Sequence, residues 1–264
     1  MKIVNDENGM KNSFGFYDQD SKEIVLKRPY SKKSDLEEAL SWIDLAVLNE
    51  FNKISIGIGA VESFVADDSY DGMYISARDV IKQTIDKTKV LDNEMLRKVL
   101  MKLKDYDGLR NLGFKCFVFG DGEDQLFDLL VEVIKKQKEL VYLDLTGCYF
   151  NDEQLLVLAS VASKSYVAHM VWPEPRVNGE ILSKVVGEFE KNLALVVVRG
   201  APTELVEIAQ KNREVLFSLV KRSSTITDND VNMLKKYRNS IRLAVGFEKQ
   251  KIREMEKMLE GILV

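Results

Sequence analysis

The side chains best suited to nucleophilic or general-base chemistry are few: one histidine, His169, and two cysteines, Cys116 and Cys148. A catalytic His169 would need a nucleophile or an orienting carboxylate beside it, and nothing in the local sequence supplies either. The cysteines stand in no C-x-x-C pair, and with a single histidine no zinc site of the common Cys/His kinds can be assembled. Both thiols are read as reduced and buried, with no catalytic residue and no metal ligand assigned.

Two loops invite other chemistry. "GIGAVES", Gly57 to Ser63, follows a strand-like run as a phosphate-binding turn would, but Glu62 stands where a dinucleotide fingerprint needs its third glycine. "GDGED", Gly120 to Asp124, gathers Asp121, Glu123 and Asp124. Acidic residues just before a helix are accounted for by the helix dipole and capping, and the twelve-position calcium loop is absent. No cofactor is expected.

The elements that would position such residues fall into two parts. In the first, "SFGFYDQDSKEIVLKR", residues 13 to 28, reads as a hairpin at the edge of the fold. "SDLEEALSWIDLAVLNE" reads as a helix, with Ser34 and Glu37 at capping-box spacing and an apolar side of Leu36, Leu40, Ile43, Leu45 and Leu48. "KISIGIG" reads as a strand, and "SARDVIKQTIDKT" and "DNEMLRKVLMKLKDY" as helices. The sequence leaves residues 59 to 76 open.

From Phe114 onward a spacing L-x-x-L-x-L recurs, each set followed by a break and a helical pattern. The sets are Phe114, Phe117, Phe119; Leu140, Leu143, Leu145; Val167, Met170, Trp172; and Leu193, Val196, Val198, with starts 26, 27 and 26 residues apart. Weaker sets follow at Leu216, Leu219, Lys221 and at Ile241, Ala244, Gly246. The helical halves "FNDEQLLVLA", "VNGEILSKVV" and "ITDNDVNMLK" place Asn151, Asn178 and Thr227 at N-cap positions. A strand plus a helix of this size cannot bury its own apolar face, so the pattern predicts about six stacked C-terminal units.

The best copy, "LVYLDLTGCYFND", resembles a leucine-rich repeat of the cysteine-containing, ribonuclease-inhibitor-like type. Leu140, Leu143, Leu145, Cys148 and Phe150 fill its L-x-x-L-x-L-x-x-C and following apolar places. In the other units Gly122, Pro175, Ala201 and Ser224 stand in the cysteine position. The resemblance covers residues 111 to 264 and implies an α/β solenoid with parallel strands on the concave side and helices outside, used as a protein-binding scaffold. Residues 1 to 110 would be an N-terminal α/β cap, and the charged "EKQKIREMEKMLEGILV" a terminal capping helix.

In this frame one outward row along the strands is Val118, Asp144, Val171, Val197, Val220 and Val245. Its neighbour is Cys116, Tyr142, His169, Leu195, Ser218 and Leu243. A largely apolar face of this kind is a binding surface or is covered by another part of the chain. The residues expected to meet a partner are Tyr142, Asp144, His169, Val171, Leu195, Val197 and Arg199, with Asp144 and Arg199 giving polar specificity.

Composition bounds the rest. The chain of 264 residues is 45% hydrophobic and 30% charged, with 42 acidic against 38 basic residues and a net charge of −4. That charge gives no field to hold a nucleic-acid backbone. No apolar run reaches the length of a signal-peptide core or a membrane span. The expectation is a non-catalytic cytoplasmic protein that binds another protein, as an adaptor or as an effector delivered into a host cell. The alternative is a compact α/β enzyme with its site in the loops after the strands, Gly57 to Asp71 and Gly120 to Asp124.

Overall fold

The structure, a computed structural model, describes residues 4–6, 9–12, 15–18, 22–28, 33–48, 50, 53–58, 89–115, 117–119, 124–173, 177–221 and 227–244. It is an α/β fold. Strands β1 (Val4–Asp6), β2 (Gly9–Asn12), β3 (Gly15–Asp18) and β4 (Glu23–Arg28) form an antiparallel meander. Helix α1 (Lys33–Leu48), β5 (Lys53–Ile58), α2 (Lys89–Leu103), β6 (Asn111–Lys115), α3 (Asp124–Lys136), β7 (Tyr142–Asp144) and α4 (Asp152–Lys164) follow. After them come β8 (His169–Val171), α5 (Gly179–Phe189), β9 (Val197–Arg199), α6 (Thr203–Lys221), α7 (Asp228–Lys236) and α8 (Arg238–Ala244).

All these strands lie in one sheet in chain order, and every neighbouring pair from β4 to β9 is parallel. Parallel neighbours need a crossover, and right-handed crossovers in unbroken order put successive helices on the same face. Accordingly α1 to α6 each contact the next. The pairing of β5 with β6 carries the sheet across residue 110, the expected division between cap and repeats.

Alternation along the strands sends Ile24, Leu26, Leu112, Phe114, Leu143 and Met170 into a core shared with Leu96, Leu130, Leu158, Val185 and Leu205 of the helices. Each such side chain contributes about 1.5–3 kcal/mol by leaving water. Asn111, Gly113, Tyr142, Asp144, His169, Val171, Val197 and Arg199 alternate with these core residues and take the opposite face.

The observed register corrects the repeat frame. Leu112 pairs with Leu143, Leu143 with Met170, and Met170 with Val198. The first set is therefore Leu109, Leu112, Phe114 and the fourth is Leu195, Val198, Gly200, with starts 31, 27 and 28 residues apart. The second and third sets stand as read. Phe117 and Phe119 take the places of Cys148 and Phe150 one unit earlier, as the parallel bridge between Val118 and Tyr149 requires.

There the units lock together. Phe119 and Phe150 stack at 4.9 Å with planes 2° apart. The Cys148 thiol, buried, donates to the Phe114 carbonyl at 3.1 Å, and Gln154 Nε2 donates to the Phe119 carbonyl at 2.9 Å. At the strands' other end, buried Gln137 receives from Leu109 N–H and donates to the carbonyls of Tyr106 and Val133.

The caps form where the sequence puts them. Asn151 and Thr227 each close a capping box, with Gln154 and Asp230, and the Asn178 side chain accepts from Glu180 N–H. Ser34 instead stands inside α1, which begins at Lys33, and of its expected apolar side Leu48 is 77% exposed while Trp42 is buried.

The two weak C-terminal sets are not strands. Leu216, Leu219 and Lys221 lie in α6, and Ile241 and Ala244 in α8. An L-x-x-L spacing also satisfies a helix, and α6 runs through it for 19 residues without a break. These helices close one edge of the fold: Leu216, Leu234, Tyr237 and Ile241 pack on Ala168, Ala194 and Val196 at the beginnings of β8 and β9. Ser240 Oγ donates to the Ala194 carbonyl at 2.6 Å, and Arg110 Nη2 to Asn239 Oδ1 at 3.3 Å.

Candidate partner-binding face

Register sets the side chains of the strand face into a small lattice. Asn111, Tyr142, His169 and Val197 form one row across β6 to β9, and Gly113, Asp144, Val171 and Arg199 the next. Tyr142, Asp144, His169, Val171, Val197 and Arg199 thus stand in two adjacent rows.

Leu195 is not among them. It is 1% exposed and packed in the core, because the register places Val197, two residues on, beside His169. By the same shift the row of Asp144 and Val171 ends on Arg199, which is exposed, where the sequence frame put Val197. Val197 is half-buried against the C-terminal cluster that includes Ile241, with Leu243 and Ala244 packed on it. Ser218 and Val220, expected in these rows, lie in α6, and Leu243 in α8.

Asp144 is buried, and its charge is answered within the fold. Oδ1 accepts from Thr146 N–H at 3.0 Å and Thr146 Oγ1 at 2.5 Å, while Oδ2 accepts from the Tyr142 hydroxyl at 3.2 Å and lies 3.7 Å from Lys115 Nζ. Gly147 follows at φ 65, a left-handed turn that glycine adopts without steric cost and that carries the chain from the carboxylate's loop to Cys148. Lys115 is the contributor that sequence reading missed. It lies 29 residues before Asp144, and only the β6–β7 pairing brings it near.

Tyr142 and His169 meet edge to face, ring centroids 4.7 Å apart at 88°. Burial, then the Asp144 charge and its hydrogen bond, push the Tyr142 phenol up to about 12 against the opposing field of Arg199. Burial first and Arg199 second hold the His169 imidazole below its ordinary value, with Asp144 opposing. His169 is therefore neutral at pH 7 and partly sheltered, and its Nε2 has no hydrogen-bond partner among the described residues.

This set is poorly built for acid/base catalysis. The carboxylate is engaged by three hydrogen bonds and the Lys115 ammonium, the phenol is held protonated, and among the described residues neither hydrogen-bonds to the imidazole. What the face offers is the exposed Arg199 guanidinium and the half-buried apolar Val171 between polar neighbours, while the unpartnered His169 Nε2 is buried.

Cys148 sits in the turn, engaged with the Phe114 carbonyl. Cys116, residues 59 to 88 including most of "GIGAVES", Gly120 to Glu123 and the charged segment 248 to 264 lie outside the described residues. Among the described residues no three His, Cys, Asp or Glu side chains group as metal ligands would, and no helix is long and apolar enough to cross a membrane. Two hollows of about 300 Å³ and 330 Å³ open on the helical side, one lined by Lys135, Val157 and Lys164, the other by Glu214, Ser218 and Met233.

No protein-family model matches the chain, and no curated protein is significantly similar to it.

Proposed function

We propose that this chain is a non-catalytic protein-interaction scaffold of the leucine-rich-repeat kind, a solenoid that receives a partner protein on its strand face. It acts in the cytoplasm as an adaptor, or in a host cell as a delivered effector. The observation that carries the reading is the register lattice, in which Tyr142, His169, Val171 and Arg199 lie side by side on the face opposite the helix-side core. The chain-ordered parallel strands, each followed by a helix touching the next, support the stacked-unit architecture. Affinity then comes from complementarity to a rigid surface, with Val171 and Tyr142 giving apolar contact and Arg199 giving direction.

The test is retention of a captured partner by the variant Val171→Asp with Arg199→Glu, both residues lying outside the buried core. Folding is checked by circular dichroism. The reading expects a folded protein that no longer holds its partner, and unchanged retention overturns it.

A further inference from the structure

Parallel sheets are ordinarily covered on both faces, and the helices α1 to α6 cover one. On the opposite face Tyr142, Val171 and Val197 are half-buried, and His169 Nε2 is buried without a hydrogen-bond partner among the described residues.

Helix α8 ends beside that face. It lies along the beginnings of the strands, with Ser240 Oγ donating to the Ala194 carbonyl before β9 and Asn239 receiving from Arg110 before β6. Its last residues, Leu243 and Ala244, pack on the same buried cluster as Val141 before β7 and Val197 of β9.

The chain continues past Ala244 to Val264, outside the described residues. The sequence there sets Ile252, Met255, Leu259 and Ile262 at three- and four-residue intervals, an apolar stripe at helical spacing among mostly charged neighbours. At about 1.5 Å per residue the stripe is about 15 Å long, and the three strand spacings from β6 to β9, at about 4.8 Å each, make about 14 Å. Beyond Arg253, Glu254, Glu256 and Glu260 stand against Lys257, an acidic balance that complements the exposed Arg199.

We infer that residues 245 to 264 occupy the strand face of the free chain, their apolar stripe seated on the row of Tyr142, His169 and Val197, and that a partner protein gains the face by displacing them. The cover rests on the strand-face reading and gives that site its regulation. Being tethered, the segment competes within its own molecule, so apparent partner affinity falls in proportion to the fraction of chains left open. Arg199 stays at the margin of the cover, and a partner with a wider footprint shelters the half-buried residues further.

Two measurements on the full chain test it. In the first, p-benzoylphenylalanine stands in place of Val171, and irradiation followed by peptide mass spectrometry maps what lies above the strand face. Crosslinks within one chain to residues 245 to 264 are expected. Crosslinks only to other parts of the chain, crosslinks only between copies, or none at all overturn the cover.

In the second, Met255→Asp with Leu259→Asp puts charge into the stripe, hydroxyl-radical footprinting reads the face, and circular dichroism checks the fold. Tyr142 and His169 are expected to gain severalfold in modification while Tyr166, on the helical side, is unchanged. Unchanged Tyr142 and His169 in the folded variant overturn the cover, and if the variant does not fold the crosslink decides alone.

Partner capture separates this inference from the reading it rests on. Crosslinks to residues 245 to 264, with the partner still held by Val171→Asp with Arg199→Glu, overturn the partner reading alone. A partner lost in that variant, with no such crosslink, overturns the cover alone.

Discussion

The β7 unit and the β9 unit present equivalent strand-face positions to different surroundings. In the β7 unit the charged position, Asp144, is buried and ringed by donors, while Phe150 and Cys148 bind the turn to the preceding unit. In the β9 unit the corresponding Arg199 is exposed, and Gly200 at φ 63 holds the place that Leu145 and Trp172 fill elsewhere. A charge that the fold satisfies has a structural role; one that it leaves open is available to a ligand. One face thus grades from a charge held in the framework at β7 to a charge exposed at β9.

Breaking the framework side has the largest expected effect. Phe150→Ala removes the ring stacked on Phe119 and packed edge-on against Phe127, and should cost about 3–5 kcal/mol of unfolding free energy in a urea melt. Asp144→Ala leaves the Tyr142 hydroxyl, Thr146 N–H and Lys115 without their acceptor and should cost about 2 kcal/mol. Arg199→Ala should stay within about 0.5 kcal/mol of the parent, as for an exposed side chain. Equal losses for Asp144→Ala and Arg199→Ala would erase the comparison.

Smaller effects come from Tyr142 and His169, which meet edge to face. The folded-state value of His169 lies below its unfolded 6.5, so the unfolded chain binds more protons as pH falls through 6.5. The contribution of neutral His169 to stability is thus present above pH 6.5 and lost as pH falls below it. His169→Phe should flatten that part of the stability profile. The least visible effect is spectroscopic: the last tyrosine absorbance change, near pH 12, should be missing in Tyr142→Phe.

How much of this the sequence discloses depends on the range of the interactions. Caps at Asn151, Asn178 and Thr227 are legible because a side chain and a backbone amide two or three residues away make the whole structure. The unit at Leu140 is legible because its apolar residues fit one frame. "LRNLGFKCFVF" fits two, since Leu109, Leu112, Phe114 and Phe114, Phe117, Phe119 have the same spacing, and only strand pairing chooses between them. "LALVVV" likewise carries no register of its own, which is why Leu195 was expected on the surface and lies in the core. The ion pair of Asp144 with Lys115 is made by strand register, and no local pattern announces it.

The central claim, recognition on the strand face, is tested most directly by hydroxyl-radical footprinting of the chain with and without its captured partner. Tyr142 and His169 sample the strand face, and Tyr166, 40% exposed at the end of α4, samples the helical side. The account predicts that the partner lowers the modification of Tyr142 and His169 and leaves Tyr166 unchanged. Protection of Tyr166 alone, with Tyr142 and His169 as reactive as in the free chain, would contradict it.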